Sequence, residues 1–251
     1  MDEWTMANDR RIYGGSSPLF ERGNCTVCDA TEQDVQYAIE SAQAAASEMA
    51  ALTAFQRAEI LEHLSRLFLE NREEAASIIS LESAKPLKYA YAEIDRTIET
   101  YKFAAEEAKR LSGEMIPMDA SKNGEGRFAY TIREPIGVIA AITPFNFPQN
   151  LVAHKVGPAL AAGNTIVLKP ATQTALSAHF LAKLLAQTNL PAGAFNLVTG
   201  QGKLVGDVFL AHPNVKMITF TGSPAVGISL RNRAGLKKGN IRIRLKCRGD
   251  C

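Results

Sequence analysis

Apolar residues recur at helical spacing through the first part of the chain. Val35, Ala38, Ile39 and Ala42 fall at i, i+3, i+4 and i+7 and predict a helix that opens at Thr31. Thr31 is a favoured N-cap type, and Asp34 stands three residues on, where a carboxylate meets the positive end of the helix dipole. Ile60, Leu61, Leu64, Leu67 and Phe68 mark one face of a second helix over 54–71. A third covers Arg72–Ser83 and stops before Lys85-Pro86, because a proline drives its predecessor out of the α region. A fourth, over 89–111, ends near Ser112-Gly113. Ahead of these helices, residues 1–30 read as irregular coil or short strands, with turns at Gly14-Gly15 and Arg22-Gly23.

The pattern changes at Met115. Residues 116–133 are polar and extended, with a turn at Lys122-Asn123-Gly124. Strands and helices then alternate: strand 137–142, helix 149–162 ending at Gly163, strand 165–169, helix 174–188, strand 195–198, helix 203–211, strand 217–221 and helix 223–234. Such alternation predicts an α/β fold, a doubly wound parallel sheet with an N-terminal helical region packed on it. The corresponding division is 1–114 helical, 115–133 extended hairpin, 134–238 α/β, and 239–251 a tail of different character.

Ligands of open parallel sheets bind beyond the carboxyl ends of the strands. Four loops lie there. In the first, Asn146 stands between Phe145 and Phe147, braced by Pro144 and Pro148; its amide is a donor type suited to an oxyanion hole, against the plainer reading of a turn asparagine. In the second, Lys169 precedes Pro170-Ala171 and suits either a ribose or phosphate donor or a strand-end lysine reaching solvent. The third, Gly200-Gln201-Gly202-Lys203-Leu204-Val205-Gly206, lets a backbone approach a ligand but is a weak dinucleotide signal, since its last glycine comes one residue late. In the fourth, Ser223 is placed to N-cap a helix with Pro224 at its first position. That helix N-terminus is a ready anion site, and capping and phosphate binding are compatible there.

Hydrophobic content of 46% and a net charge of +2 fit a soluble globular chain with no overall field for nucleic acid or membrane. Arg231, Arg233, Lys237, Lys238, Arg242, Arg244, Lys246 and Arg248 nevertheless crowd the last stretch. The start is polar and lacks the pattern of a secretory signal, and no apolar run is long enough to cross a bilayer, so a cytoplasmic location is expected. Cys25 and Cys28 have metal-ligand spacing but no second pair outside the odd tail that holds Cys247 and Cys251; all four are read as reduced thiols without a role, and no metal is expected.

Together the loops resemble the aldehyde dehydrogenase superfamily. The resemblance is carried by Glu134-Pro135-Ile136-Gly137-Val138, Thr143-Pro144-Phe145-Asn146-Phe147-Pro148, Gly157-Pro158-Ala159-Leu160-Ala161-Ala162-Gly163-Asn164, Lys169-Pro170-Ala171, Leu190-Pro191-Ala192-Gly193 and Phe220-Thr221-Gly222-Ser223, and it covers residues 12–238. It implies the cofactor-binding, Rossmann-like half of an enzyme that oxidises an aldehyde to a carboxylic acid with NAD or NADP. By that resemblance Asn146 stabilises the oxyanion formed when a cysteine thiolate attacks the aldehyde. Ile142, Thr143, Pro144 and Phe145 line the nicotinamide end, and Lys169 binds the adenosine ribose. Gly202 and Gly206 lie beside the adenine, Phe220, Gly222 and Ser223 at the pyrophosphate, and Val226 against the adenine. Thr172 stands where many NAD-preferring members carry a glutamate that would repel the extra phosphate of NADP, so acceptance of NADP is expected. Residues 122–133 resemble part of an oligomerisation hairpin, which implies a homodimeric or homotetrameric parent enzyme.

The chain departs from the family after residue 238. Members continue into a strand of pattern Glu-Leu-Gly-Gly that supplies the general base, with the nucleophilic cysteine further on; here Gly239–Cys251 matches neither. Codons exist for 239–247 that, read from the second base, give Val-Thr-Leu-Glu-Leu-Gly-Ser-Asn-Ala. The tail is therefore read as family sequence out of frame, with an extra base at the codons for Lys237-Lys238. Arg242, Arg244 and Lys246 alternate with apolar residues and are expected to mimic an edge strand rather than to bind nucleic acid. A chain so altered is expected to lack dehydrogenase activity, leaving a cofactor-binding or subunit-interaction fragment, or an unstable product.

Overall fold

The computed structural model describes residues 12–13 and 27–243. The turns read at Gly14-Gly15 and Arg22-Gly23, together with Cys25, Arg244, Lys246, Arg248, Cys247 and Cys251, lie outside them. Two short antiparallel strands, β1 (Ile12–Tyr13) and β2 (Val27–Cys28), come first. Four helices follow: α1 (Glu32–Ala51), α2 (Ala54–Glu70), α3 (Arg72–Ser83) and α4 (Leu87–Ala108). A second antiparallel pair, β3 (Met115–Ile116) with β4 (Ala129–Tyr130), leads into the main sheet. There the order is β5 (Val138–Ile142), α5 (Asn150–Ala161), β6 (Thr165–Lys169), α6 (Ala175–Leu185), β7 (Phe195–Leu197), α7 (Gly202–Ala211), β8 (Val215–Gly222), α8 (Pro224–Arg233) and β9 (Lys238–Ile243).

The caps explain where the helices start. Thr31 and Asp34 form the predicted N-terminal cap as a reciprocal pair, and Thr53 with Gln56 repeats it on α2. The fourth helix differs from expectation. It begins at Leu87, immediately after Pro86, and ends at Ala108. Proline tolerates the position just ahead of a helix, because its missing N–H is one the first turn would leave unpaired. Residues 116–133 are not continuously extended: short 3-10 turns at Met118–Ala120 and Lys122–Gly124 separate the two strands.

The main sheet is parallel throughout, in the order β7-β6-β5-β8-β9. Its strand order reverses between β5 and β8. Alternate residues feed two cores. Ile139, Ala141, Ile166 and Leu168 pack with α2–α6, while Val138, Ala140, Val167, Ile218 and Phe220 pack with α1, α7 and α8. One face is thus backed by two helical layers and the other by one. β9 continues the sheet across residues 238–243, pairing Thr221 with Arg242, as an edge strand of basic and apolar residues.

Two motifs singled out in the sequence prove to fix the sheet rather than a ligand. Asn164 Oδ1 accepts from the Ile136 and Gly137 amides at 2.7 and 3.1 Å, tying the start of β5 to that of β6. Gly163, at φ +77, ends α5 in the left-handed conformation a side chain would oppose.

Candidate functional site

The carboxyl ends of the central strands bring the predicted residues to one edge. Lys169, Ile142 and Phe220 are direct partners across β6, β5 and β8, so they stand side by side at the point where the strand order reverses. Thr143 follows, donating its amide to the Lys169 carbonyl at 3.1 Å. Pro144 and Phe145 continue the loop, with Phe145 and Phe147 presented to solvent. Asn146 Oδ1 is buried with no hydrogen-bond partner. A buried amide oxygen without a partner is costly, and Gln149 Oε1, at the start of α5, shares that state among the described residues.

Lys169 is not the solvent-reaching lysine of one reading. It is buried, donates to the Pro170 carbonyl at 2.9 Å, and burial lowers its pKa against a smaller opposing effect of Asp29. Asp29 comes from the stretch after β2, which the loop at Thr199-Gly200 holds through the Ala30 amide at 2.9 Å. Thr172 is exposed and reaches the Gly200 carbonyl only at 3.4 Å. Gly202 opens α7 with free space around it, whereas Gly206 faces Leu230 across the α7–α8 packing. Gly222 lies against the Phe220 ring, which a Cβ there would strike. Val226 is exposed on the first turns of α8.

The four helices that follow strands of the main sheet differ at their N-termini. Glu93, on α4, accepts the Gln149 and Asn150 amides at 2.9 and 3.2 Å and so caps α5. Glu82, on α3, accepts the Leu176 amide at 2.9 Å and the Ser177 amide at 3.1 Å, together with the Ser177 hydroxyl, and so caps α6. Burial pushes the Glu82 carboxyl up to about 7, against the lowering effect of these hydrogen bonds. By contrast neither Gln201 nor Ser223 caps its own helix, and no other side chain among the described residues bonds the first-turn amides of α7 or α8. Ser223 occupies the predicted cap position of α8, and Pro224 the first helical one, but the expected serine cap bond is absent. The amides of that first turn are left for water or an anion.

Glu82 and Glu93 escaped the sequence reading, as did Lys85, whose ammonium meets Glu93. The signal was present. Both glutamates fall on the apolar stripes of their helices, Glu82 after Ala75, Ala76 and Ile79, and Glu93 between Ala90 and Ile94. A carboxylate on a core stripe needs a buried partner. Lys155 on α5 was missed likewise. It is buried, donates to Thr219 Oγ1 at 3.0 Å, and burial with the nearby Arg242 lowers its pKa to about 8. Two concavities of about 380 and 280 Å³ lie between α8 and β9, both lined by Ile241, the register partner of Phe220. No group of three His, Cys, Asp or Glu able to hold a metal occurs among the described residues, and Cys28 is a free thiol. No helix among them is long and apolar enough to cross a membrane.

The sequence profile described as "Aldehyde dehydrogenase family" matches residues 4–249. This chain belongs to the aldehyde dehydrogenase family. The match extends past both ends of the 12–238 resemblance. The 3-sulfolactaldehyde dehydrogenase of Priestia aryabhattai is 43% identical over 214 residues, covering 85% of this chain and 44% of that protein. The structure of aldehyde dehydrogenase 21 from Physcomitrella patens, in complex with the reaction product succinate, is similar with a TM-score of 0.90 at 38% identity, covering 95% of this chain and 50% of that one. Glyceraldehyde-3-phosphate dehydrogenase from Methanocaldococcus jannaschii, complexed with NADP, gives 0.82 at 38% identity over 87% of this chain and 47% of that one. The chain spans about half the length of these relatives.

Proposed function

We propose that this chain is the dinucleotide-binding half of an NAD(P)-dependent aldehyde dehydrogenase, able to hold the cofactor but not to turn over an aldehyde. The observation that carries the reading is the row Lys169–Ile142–Phe220 at the strand reversal, beside two helix N-termini that no side chain among the described residues caps. A dinucleotide fits these groups. Ser223 and the first amides of α8 would take the pyrophosphate, with Gly222 and Phe220 forming the floor. Lys169 and Thr172 would meet the adenosine ribose, Gly202, Gly206 and Val226 the adenine side, and Ile142, Thr143, Pro144 and Phe145 the nicotinamide end. Asn146 would present its amide to the substrate oxygen in the parent enzyme. NAD or NADP supplies the hydride acceptor when bound.

The tail belongs to the same proposal. In the shifted frame the glutamate of the restored peptide falls at position 242. Burial, with Arg242 adding repulsion, lowers the pKa of both His154 and Lys155, so a cation occupies a place beside two other basic groups. A carboxylate at 242 would reverse that. The exposed Met115, Phe128 and Tyr130 around β3 and β4 support the proposal of a homodimeric or homotetrameric parent.

Calorimetric titration of the purified chain with NAD+ and NADP+, beside an aldehyde oxidation assay, tests the reading. Saturable binding without turnover is expected. Absence of binding to both nucleotides would overturn it, and turnover would overturn the part of it that denies the chain aldehyde oxidation.

A further inference from the structure

We propose that Lys85 is a positioning residue for the 143–148 loop, fixing the Asn146 peptide where the nicotinamide end of the dinucleotide is received; this rests on the nucleotide-binding reading above. Lys85 sits in the short linker between α3 and α4, 61 residues upstream of the loop it touches. Its ammonium donates to the Asn146 carbonyl at 2.9 Å and to the Glu93 carboxylate, and lies 4.4 Å from the centroid of the Phe147 ring. A lysine has three N–H donors on a compact charge. Here they grip the peptide of the loop, its aromatic side chain, and the buried glutamate that caps the next helix.

The linker is built to aim this side chain. Ala84, immediately before it, has φ 53, the one non-glycine positive φ among the described residues. A side chain in that conformation is strained and persists where surrounding contacts hold it. Ser80 Oγ supplies one such contact, donating to the Lys85 carbonyl at 2.8 Å. A lysine needed only to balance Glu93 requires neither the carbonyl nor the ring. The loop contacts set Lys85 apart from plain charge balance. They also leave Asn146 with its backbone fixed and its side-chain oxygen unspent.

The test compares two ligands on one protein: NAD+ and ADP-ribose, which lacks the nicotinamide ring. Affinities are measured by calorimetry for the wild-type chain, for Lys85→Met, and for the double variant Lys85→Met/Glu93→Gln. The double variant leaves no unpaired buried carboxylate and keeps an oxygen acceptor for the α5 amides, so it remains informative if the single variant fails to fold. The expected result is an NAD+ affinity weaker by about tenfold, the size of one charge-assisted hydrogen bond, with ADP-ribose changed by less than about twofold. Equal weakening of both ligands assigns Lys85 to general structure and overturns the inference, as does no change in either. A wild-type chain that binds both ligands equally well overturns it while sparing the nucleotide site. A chain that binds neither removes the underlying reading itself.

Discussion

The two faces of the sheet end their helices in opposite ways. On the face backed by α2–α4, α5 and α6 begin on carboxylates delivered from the helical layer, Glu93 and Glu82, each reaching across more than fifty residues. On the other face, α7 and α8 begin with no side-chain partner among the described residues. Helix N-termini carry the same partial positive charge wherever they lie. The fold therefore caps internally, by hydrogen bonds to its own carboxyl groups, the two ends it does not offer to a ligand and leaves open the two that it does. An anion arriving at this sheet edge has α7 and α8 to meet, because α5 and α6 are already occupied by the protein's own carboxylates.

The strongest way to break that comparison is Glu93→Ala. It strips α5 of its cap and leaves the largely buried Lys85, with 16% of its side chain exposed, without a counter-charge. Removing one partner of a buried ion pair costs about 3–5 kcal/mol, so urea denaturation should show a loss of that size. A loss below about 1 kcal/mol would show that water caps α5 as well as the glutamate does, and the contrast between the faces would vanish. Glu82 provides the next largest effect. Its carboxyl is raised from 4.5 to about 7, so the folded chain holds a proton that the unfolded chain has released between those values. Stability from this group is therefore full below about pH 4.5 and falls as pH rises through about 7, by about 3 kcal/mol in all. Glu82→Gln should flatten that slope in denaturation midpoints measured across the same range. A slope that survives the substitution would mean that another group titrates there.

These carboxylates mark the limit of what the sequence disclosed. The alternating elements, the parallel sheet and the strand-end loops were legible, because helical and strand periods differ and because proline and glycine punctuate them. Ile142, Lys169 and Phe220 could be placed at strand ends on that basis alone. Their shared register could not, since it depends on which strands become neighbours. The partners of Asn146 and of the α5 and α6 N-termini were hidden for the same reason. They come from α3, α4 and the linker between them, and only tertiary packing brings Lys85 to a carbonyl 61 positions away. Lys169 illustrates the converse: its position was readable but its burial was not.

Lys155 sharpens the comparison from the cationic side. Glu82 and Glu93 are buried against helix amides, whereas Lys155 is buried against one threonine hydroxyl with Arg242 adding repulsion. Its pKa is lowered from 10.5 to about 8, so the folded chain holds fewer protons than the unfolded chain between those values. Its burial is a cost present below about pH 8 that disappears as pH rises toward 10.5. Arg242→Glu should recover about 1 kcal/mol at neutral pH and reduce the rise in stability on the alkaline side. An unchanged profile would remove the electrostatic support for a carboxylate at that strand position.

The smallest effect concerns the open ends themselves. If α7 and α8 receive the adenosine half of a dinucleotide, the exposed Thr172, close to Gly200, lies beside it in a loop that carries no acidic residue. Thr172→Glu adds a carboxylate on the exposed side, where solvent screens it, so its interaction with the nearby ends is modest. NADP+ carries one phosphate more than NAD+, and that phosphate is the only group whose charge distinguishes the two ligands at this distance. The substitution should weaken NADP+ by about five- to tenfold, about 1 kcal/mol, while leaving NAD+ unchanged or slightly tighter through the ribose hydroxyls. Paired titrations of both nucleotides against both proteins read this difference directly. Equal weakening of the two would place the ribose elsewhere on the sheet edge. The open N-termini would then serve the pyrophosphate without Thr172 taking part in the choice of cofactor.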